Sequence, residues 1–230
     1  MNEIFAQSAT AGVVISLLAY QTGMMIKKKF RLAVFNPLLI SVILIILFLA
    51  IFQVDYENYN KSAQYLSYLL TPATVSLAIP LYQKLDLLKK NYKAIFGGVL
   101  AGVLGSLVSV LAMAYLFGLT HEEYVTLLPK SITTAIGMGV SEELGGYVTI
   151  TVASIIITGV LGNMCAESLC RIFRIRHAIS RGLAIGTSSH AIGTARAMEM
   201  GETEGAMSSL AIVVSGLCTV VGASVFAGFM

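Results

Sequence analysis

No tryptophan occurs anywhere in the chain, and only 12% of its 230 residues are charged. The first absence removes one of the two usual aromatic anchors at a membrane surface and leaves that role to ten tyrosines. The second, beside 57% hydrophobic residues and a mean hydropathy of +0.83, excludes an ordinary soluble domain. Cysteine is scarce too. Cys165, Cys170 and Cys218 lie in or beside apolar segments without a CxxC pair, which excludes a disulfide framework or a cysteine metal centre. The three histidines, His121, His177 and His190, are scattered, and no hydrolase elbow or phosphate-binding loop is present. The sequence therefore predicts a protein that is not an enzyme and takes no metal or cofactor. Positive charge before the first apolar run is also missing; the charges follow it at 27–31. That order predicts an uncleaved first helix with its N-terminus outside, not a removable signal.

What is present is a grouped set of cations. Twelve of the fifteen basic residues form three clusters: Lys27, Lys28, Lys29 and Arg31; Lys84, Lys89, Lys90 and Lys93; Arg171, Arg174, Arg176 and Arg181. Cytoplasmic loops collect Lys and Arg, so the clusters report membrane topology. The net charge of +3 comes from these loops and gives no reason to expect nucleic acid as a partner. Runs of about 20 apolar residues able to span a bilayer fall at 5–25, 34–53, 63–82, 94–118, 147–170 and 206–229. With all three clusters inside, only one full crossing fits between the acidic loop at 119–124 and the arginines of 171–181. Segment 147–170 supplies it. The Gly-, Ser- and Thr-rich stretch 125–146 is therefore predicted to dip in and return, and 182–204 has the same polar character. Such backbone is tolerated at membrane depth where protein or a water-filled cavity surrounds it.

The same order of motifs recurs. TPATVSLAIP from Thr71, LPKSITTAIG from Leu128 and SSHAIGTARA from Ser188 are each followed by a small-residue helix, AGVLG at 101–105, TGVLG at 158–162 and CTVVG at 218–222. The spacing agrees between copies, as in proteins built from internal repeats. The expected architecture is an all-α polytopic membrane protein with about six full crossings and two re-entrant or broken-helix hairpins. Residues 1–230 form one transmembrane domain, with 1–62 as scaffold helices and 63–118, 125–170 and 182–229 as repeat units.

Cations inside membrane-like stretches are costly and mark functional sites. Two qualify here. Arg196 carries a planar fork suited to a carboxylate or phosphate, with Ser188, Ser189 and Thr194 as further donors and Gly193 permitting close backbone approach. It either binds an anion there or pairs with Glu199 or Glu202. His190 either couples a proton or caps a helix. Lys130 either joins Ser131, Thr133 and Thr134 at a ligand or snorkels to the surface. Asn163 is a further site candidate on 147–170. Its neighbour at i+4, Glu167, is expected to pair with a nearby arginine. Gly98 and Gly102 form a GxxxG packing face.

PKSITTAIGMGVSEELGG at 129–146 and GTSSHAIGTARAMEMGETEGAMSSLA at 186–211 closely resemble the LrgB/CidB family of bacterial membrane proteins. The resemblance covers essentially the whole chain and implies a multi-pass protein of the bacterial inner (plasma) membrane. It implies two competing functions. One is an antiholin-like modulator of murein hydrolase export and cell lysis. The other is a carrier of small carboxylates, as in the plastid glycolate/glycerate translocator, which fuses an LrgA-like half that this chain lacks. The polar constellation around Arg196 favours the second. The expectation is thus alternating-access carriage of a glycolate-, glycerate-, pyruvate- or lactate-like acid, by a homo-oligomer (a dimer) with or without a separate LrgA-like membrane partner.

Overall fold

The computed structural model describes residues 8–30, 35–69, 72, 75, 76 and 78–230. All regular structure among them is helical. Arg31 of the first basic cluster and Thr71, Ala73, Thr74 and Leu77 of the first repeat block lie outside the described residues. The chain divides into two compact units, residues 1–76 and 77–230.

In the first unit, α1 (Ala11–Phe30) ends on Lys27, Lys28 and Lys29, cations that complement the negative end of the helix dipole. The three lysines expected in a loop are thus the last turn of a helix. α2 (Pro37–Ile51) starts where Asn36 accepts from the backbone N–H groups of Leu38 and Leu39 at 2.8 and 3.3 Å, with proline in the first turn. α3 (Tyr56–Ala63) is polar and is followed by a 3₁₀ turn at Gln64–Leu69. Gly12 lets α1 approach α3. A Cβ there would lie 2.7 Å from the Ala63 nitrogen, and the Gly12 N–H donates to Ser62 Oγ at 2.8 Å. Two expected spans need correction. The 34–53 run forms only 15 helical residues, about 22 Å at 1.5 Å each, short of an apolar core of about 30 Å. In the 63–82 run the described residues form the 3₁₀ turn and then the short α4 (Ala78–Gln83), not one continuous α-helix; residues 70, 71, 73, 74 and 77 lie outside them.

The second unit holds the long helices. α5 (Leu85–Phe117) is kinked at Asn91, whose side chain donates to the Leu87 carbonyl at 2.9 Å. The kink separates a lysine-rich start from the apolar remainder. A short α6 (His121–Leu127), opened by a capping box of Thr120 and Glu123, leads through a turn at 128–133 to α7 (Thr134–Glu143) and then α8 (Val148–Ile172). α9 (Ala178–Met200) and α10 (Glu202–Ala227) complete the unit. Three of these, α5, α8 and α10, are long and apolar enough to cross a membrane. Three such helices among the described residues, not six, is the count the structure supports, and the chain is a membrane protein.

Their directions follow from contacts at the two ends. Lys84 meets Glu202 at 3.2 Å where α5 and α10 begin. At the far end Tyr115 donates to the Phe229 carbonyl at 2.5 Å and Tyr124 to the Phe226 carbonyl at 2.9 Å. α5 and α10 are therefore parallel. α8 runs the other way, because the Tyr147 N–H donates to Thr126 Oγ1 at 2.7 Å at the far end. One end carries Lys84, Lys89, Lys90 and the arginines of 171–181; the other carries Glu122 and Glu123. At that second end, hydrogen bonds from its own backbone N–H and the Thr120 hydroxyl hold the Glu122 carboxyl below its ordinary range. These relative directions are those the basic clusters required. The core lies along the α5–α10 seam, with Ile95, Val99, Leu107, Tyr124, Met207 and Ala211 buried.

Candidate functional site

Both polar stretches fold as hairpins. The first leaves Thr126 and returns to it. Tyr147 N–H bonds the Thr126 hydroxyl, and α8 reaches the same residue again where Thr151 Oγ1 donates to the Thr126 carbonyl at 2.9 Å. Between those points the 128–133 turn places Ser131 Oγ 3.0 Å from Ser106 Oγ, at the middle of the apolar part of α5. Lys130 Nζ donates to Ser131 Oγ at 3.2 Å and Ser106 Oγ at 3.4 Å, and no carboxylate pairs with it among the described residues.

The second hairpin is α9 itself. Helical geometry fails at His190 (φ +41°, ψ −139°). Before that residue α9 runs parallel to α10, with Gly182 against the Glu204 backbone and Gly186 against Ser208. After it the order reverses: Thr194 reaches Ser208, and Met198 reaches Gly205. The two arms close on each other where Gly193 packs on Ile185 and Ser189. A positive φ costs a non-glycine residue of order 1–3 kcal/mol and persists only where the surroundings enforce it. Here they do. His190 is 2% exposed, and its Nε2 lies 3.0 Å from the Ile155 carbonyl. Asn163 Nδ2 donates to the Ile192 carbonyl at 2.7 Å. Thr194 Oγ1 donates to the His190 carbonyl at 2.8 Å and lies 2.7 Å from Ser208 Oγ. The groups freed by breaking the helix are thus bonded within the protein.

The first arm of α9 follows α5, with Leu183 at Gly98 and Thr187 at Gly102, so the GxxxG face packs helices as expected. One turn further along α5 is Ser106. The two hairpins therefore come from opposite ends and approach each other at that level. Between them lies a cavity of about 770 Å³, lined by Lys130, Ser131, Thr187, Ser188 and Ser189 from the hairpins, Ser106 and Ser109 from α5, and Thr158, Gly162 and Cys165 from α8. Thr187 Oγ1 is buried without a hydrogen-bond partner among the described residues.

Of the residues singled out in the sequence, Lys130, Ser131, Ser188 and Ser189 come together at this cavity. His190, Gly193, Thr194 and Asn163 form the hairpin framework behind it. Thr133 stands at the N-cap position of α7 without a side-chain capping bond and Thr134 begins the helix; neither lines the cavity. Arg196 is elsewhere. Its Nη2 meets Glu167 Oε2 and its Nη1 meets Glu199 Oε2, both at 2.5 Å. Of the two readings of Arg196, the pairing with Glu199 is the one the structure holds, and Glu167 fills the other prong, because the turn at His190 carries Arg196 back toward the basic end. There it lines a second cavity of about 520 Å³ with four other arginines. Sequence reasoning missed Ser106, Ser109 and Thr158. The signal for the two serines was their helical spacing from Gly98, Gly102 and Gly105, which marks one small and polar face of α5.

A family model described as LrgB-like family matches residues 16–229. The chain is 38% identical over 220 residues to the antiholin-like protein LrgB of Bacillus mycoides, covering 95% of this chain and 96% of that protein. Proteins of the same name from Bacillus cereus and Bacillus anthracis are 37% identical with the same coverage. No solved structure matches. These relatives overturn the expectation of a small-carboxylate carrier: proteins alike along nearly the whole chain bear an antiholin-like description, and the arginine on which the carrier reading leaned is already paired. Aligned from residue 16 almost to its last residue, the chain belongs to the LrgB-like family.

Proposed function

We propose that this chain is an antiholin-like protein of the bacterial inner membrane, restraining holin-type permeabilisation and with it murein hydrolase export and cell lysis. The observation that carries the reading is the 38% identity along 95% of the chain to a protein named antiholin-like. Lateral association in a bilayer rests on packing of helix surfaces, and α10 offers such a surface. Val213, Leu217, Val221 and Val225 recur every fourth residue and are all more than half exposed. In this reading the chain acts by occupying helix faces that would otherwise pack into a permeabilising assembly. A separate LrgA-like membrane protein is the proposed partner, and the chain itself is proposed to dimerise.

Residues 1–230 are then one multi-pass domain with no enzymatic role, crossing the membrane through α5, α8 and α10 and with the basic end in the cytoplasm. The two hairpins are re-entrant. The repeat plan, with 63–118, 125–170 and 182–229 as its units, draws support from one correspondence. Lys130 and His190 each stand at the turn of a hairpin, and each hairpin is followed by a long apolar helix, α8 or α10. The site residues then serve the resting conformation. Asn163, His190, Gly193 and Thr194 fix the α9 hairpin; Lys130, Ser131, Thr133 and Thr134 shape the other; Ser188 and Ser189 face the space between them. Arg196 ties α9 to α8.

Deleting the gene tests the function. Extracellular murein hydrolase activity should rise and lysis should come earlier, with both restored by a plasmid copy. Unchanged hydrolase activity and lysis timing in the deletion strain would end this reading.

A further inference from the structure

The cavity at the basic end has a charge imbalance that topology alone does not require. It is lined by Arg171, Arg174, Arg176, Arg181 and Arg196 against two carboxylates, Glu167 and Glu199, and with Glu204 facing Arg181 from outside the lining two positive charges stay uncompensated. Both carboxylates already hold Arg196, and Glu167 lies a looser 3.7 Å from Arg171. Arg181 is held by the Ile175 carbonyl at 2.9 Å and faces Glu204 at 3.9 Å. Arg174 and Arg176 have no ion pair among the described residues.

A second observation concerns the backbone. The turn that ends α8 is closed by Ile175 N–H bonding the Cys170 carbonyl at 2.8 Å, with Arg174 at φ +54°. This is the left-handed position that closes many helices and normally takes glycine. An arginine there works against local stability and gains nothing from the turn, so its guanidinium has another use. A third is the apolar flank. Ile172 and Phe173, beside the cavity and at the end of the apolar α8, are 70% and 71% exposed.

From these we propose that the cavity binds the phosphate of an anionic phospholipid, with the acyl chains along Ile172 and Phe173. A planar guanidinium fork matches phosphate oxygens in pairs. A basic pocket between membrane helices at the cytoplasmic surface is a suitable headgroup site. Arg174 and Arg176 supply the unpaired forks, Arg171 swings from its loose contact with Glu167, and Arg196 stays with its two carboxylates as the wall.

The full chain, purified in mild detergent, is titrated with phosphatidylglycerol, phosphatidylcholine or inorganic phosphate, with bound lipid counted by native mass spectrometry and thermal unfolding recorded. Phosphatidylglycerol should bind and raise the unfolding temperature, and phosphatidylcholine should not. Replacing Arg174→Gly with Arg176→Gln should weaken phosphatidylglycerol binding about thirtyfold, at about fivefold per arginine. The glycine suits the positive φ, so this variant keeps the turn. Lys89→Gln with Lys90→Gln removes the same charge at the same end but outside the cavity, and should leave binding unchanged. Equal effects of the two lipids, or equal losses in the two double variants, would overturn the site. Inorganic phosphate reproducing the whole stabilisation would overturn the lipid assignment in favour of a free anion.

Discussion

Arg196 and Glu167, 29 residues apart in sequence, meet at 2.5 Å across α8 and the returning arm of α9. The other prong of the same guanidinium holds Glu199, one helical turn away. Glu167 is therefore the only one of the two carboxylates that joins separate helices. Both side chains are partly wet, at 28% and 51% exposure, so solvent screening keeps the pair modest, at about 0.5–1 kcal/mol. A double-mutant cycle of Arg196→Ala and Glu167→Ala, read by thermal unfolding in detergent, should return a coupling of that size. Strict additivity of the two losses would place the contact outside the folded state's energetics.

The turn at His190 makes a separate prediction. Glycine adopts φ +41° without steric cost, whereas alanine does not. Both His190→Gly and His190→Ala lose the contact with the Ile155 carbonyl, so their difference isolates the backbone. His190→Gly should be the more stable of the two by about 1 kcal/mol or more. If alanine is equal or better, the chain does not turn at this residue.

Thr194 and Ser208 are each 0% exposed and share a hydroxyl contact of 2.7 Å. Thr194→Val preserves shape but leaves the Ser208 hydroxyl without that partner, at a cost of about 1–3 kcal/mol. Adding Ser208→Ala removes the orphan, so the double variant should be more stable than the sum of the single losses implies. Denaturation of the four proteins under one condition decides it, and a double loss at or beyond the sum would contradict the pairing.

The depth of the first hairpin can be read by cross-linking. With the three native cysteines replaced, cysteines at Ser106 and Ser131, whose hydroxyls lie 3.0 Å apart, should form a disulfide on mild oxidation. Cysteines at Ser106 and Thr133 should link less readily, because Thr133 does not line the shared cavity. A faster link to position 133 would mean that the turn is rotated.

Much of this arrangement was legible in the sequence, for identifiable reasons. The 94–118, 147–170 and 206–229 runs became α5, α8 and α10 because uninterrupted apolar residues leave only the helix boundaries open. The clustered lysines and arginines gave the relative directions of these helices. The hairpins showed themselves as Gly, Ser and Thr where lipid-facing residues would be apolar. The 63–82 run misled, because hydropathy averages over a 3₁₀ turn that alters the helical register.

Arg196 offered two readings, and the pairing with Glu199 holds while the anion site among hydroxyls does not. Its nearness in sequence to Ser189 and Thr194 suggested one site, yet a single turn at His190 sent it to the opposite end of the hairpin from the cavity. No periodicity argument reveals a reversal made by one non-glycine residue at positive φ. Glu167 was foreseen as an arginine's partner, since it stands near the basic cluster, but which arginine depended on that reversal. The functional preference went wrong with it, and the antiholin-like relatives corrected it.

Membrane potential during holin action tests the central claim most directly. Cells producing a holin-type protein are followed with a potential-sensitive dye, with and without this chain at matched expression. The account predicts that the chain delays depolarisation and the later release of murein hydrolase, and that the delay lengthens as its level rises. The same onset of depolarisation at every level of the chain would contradict it.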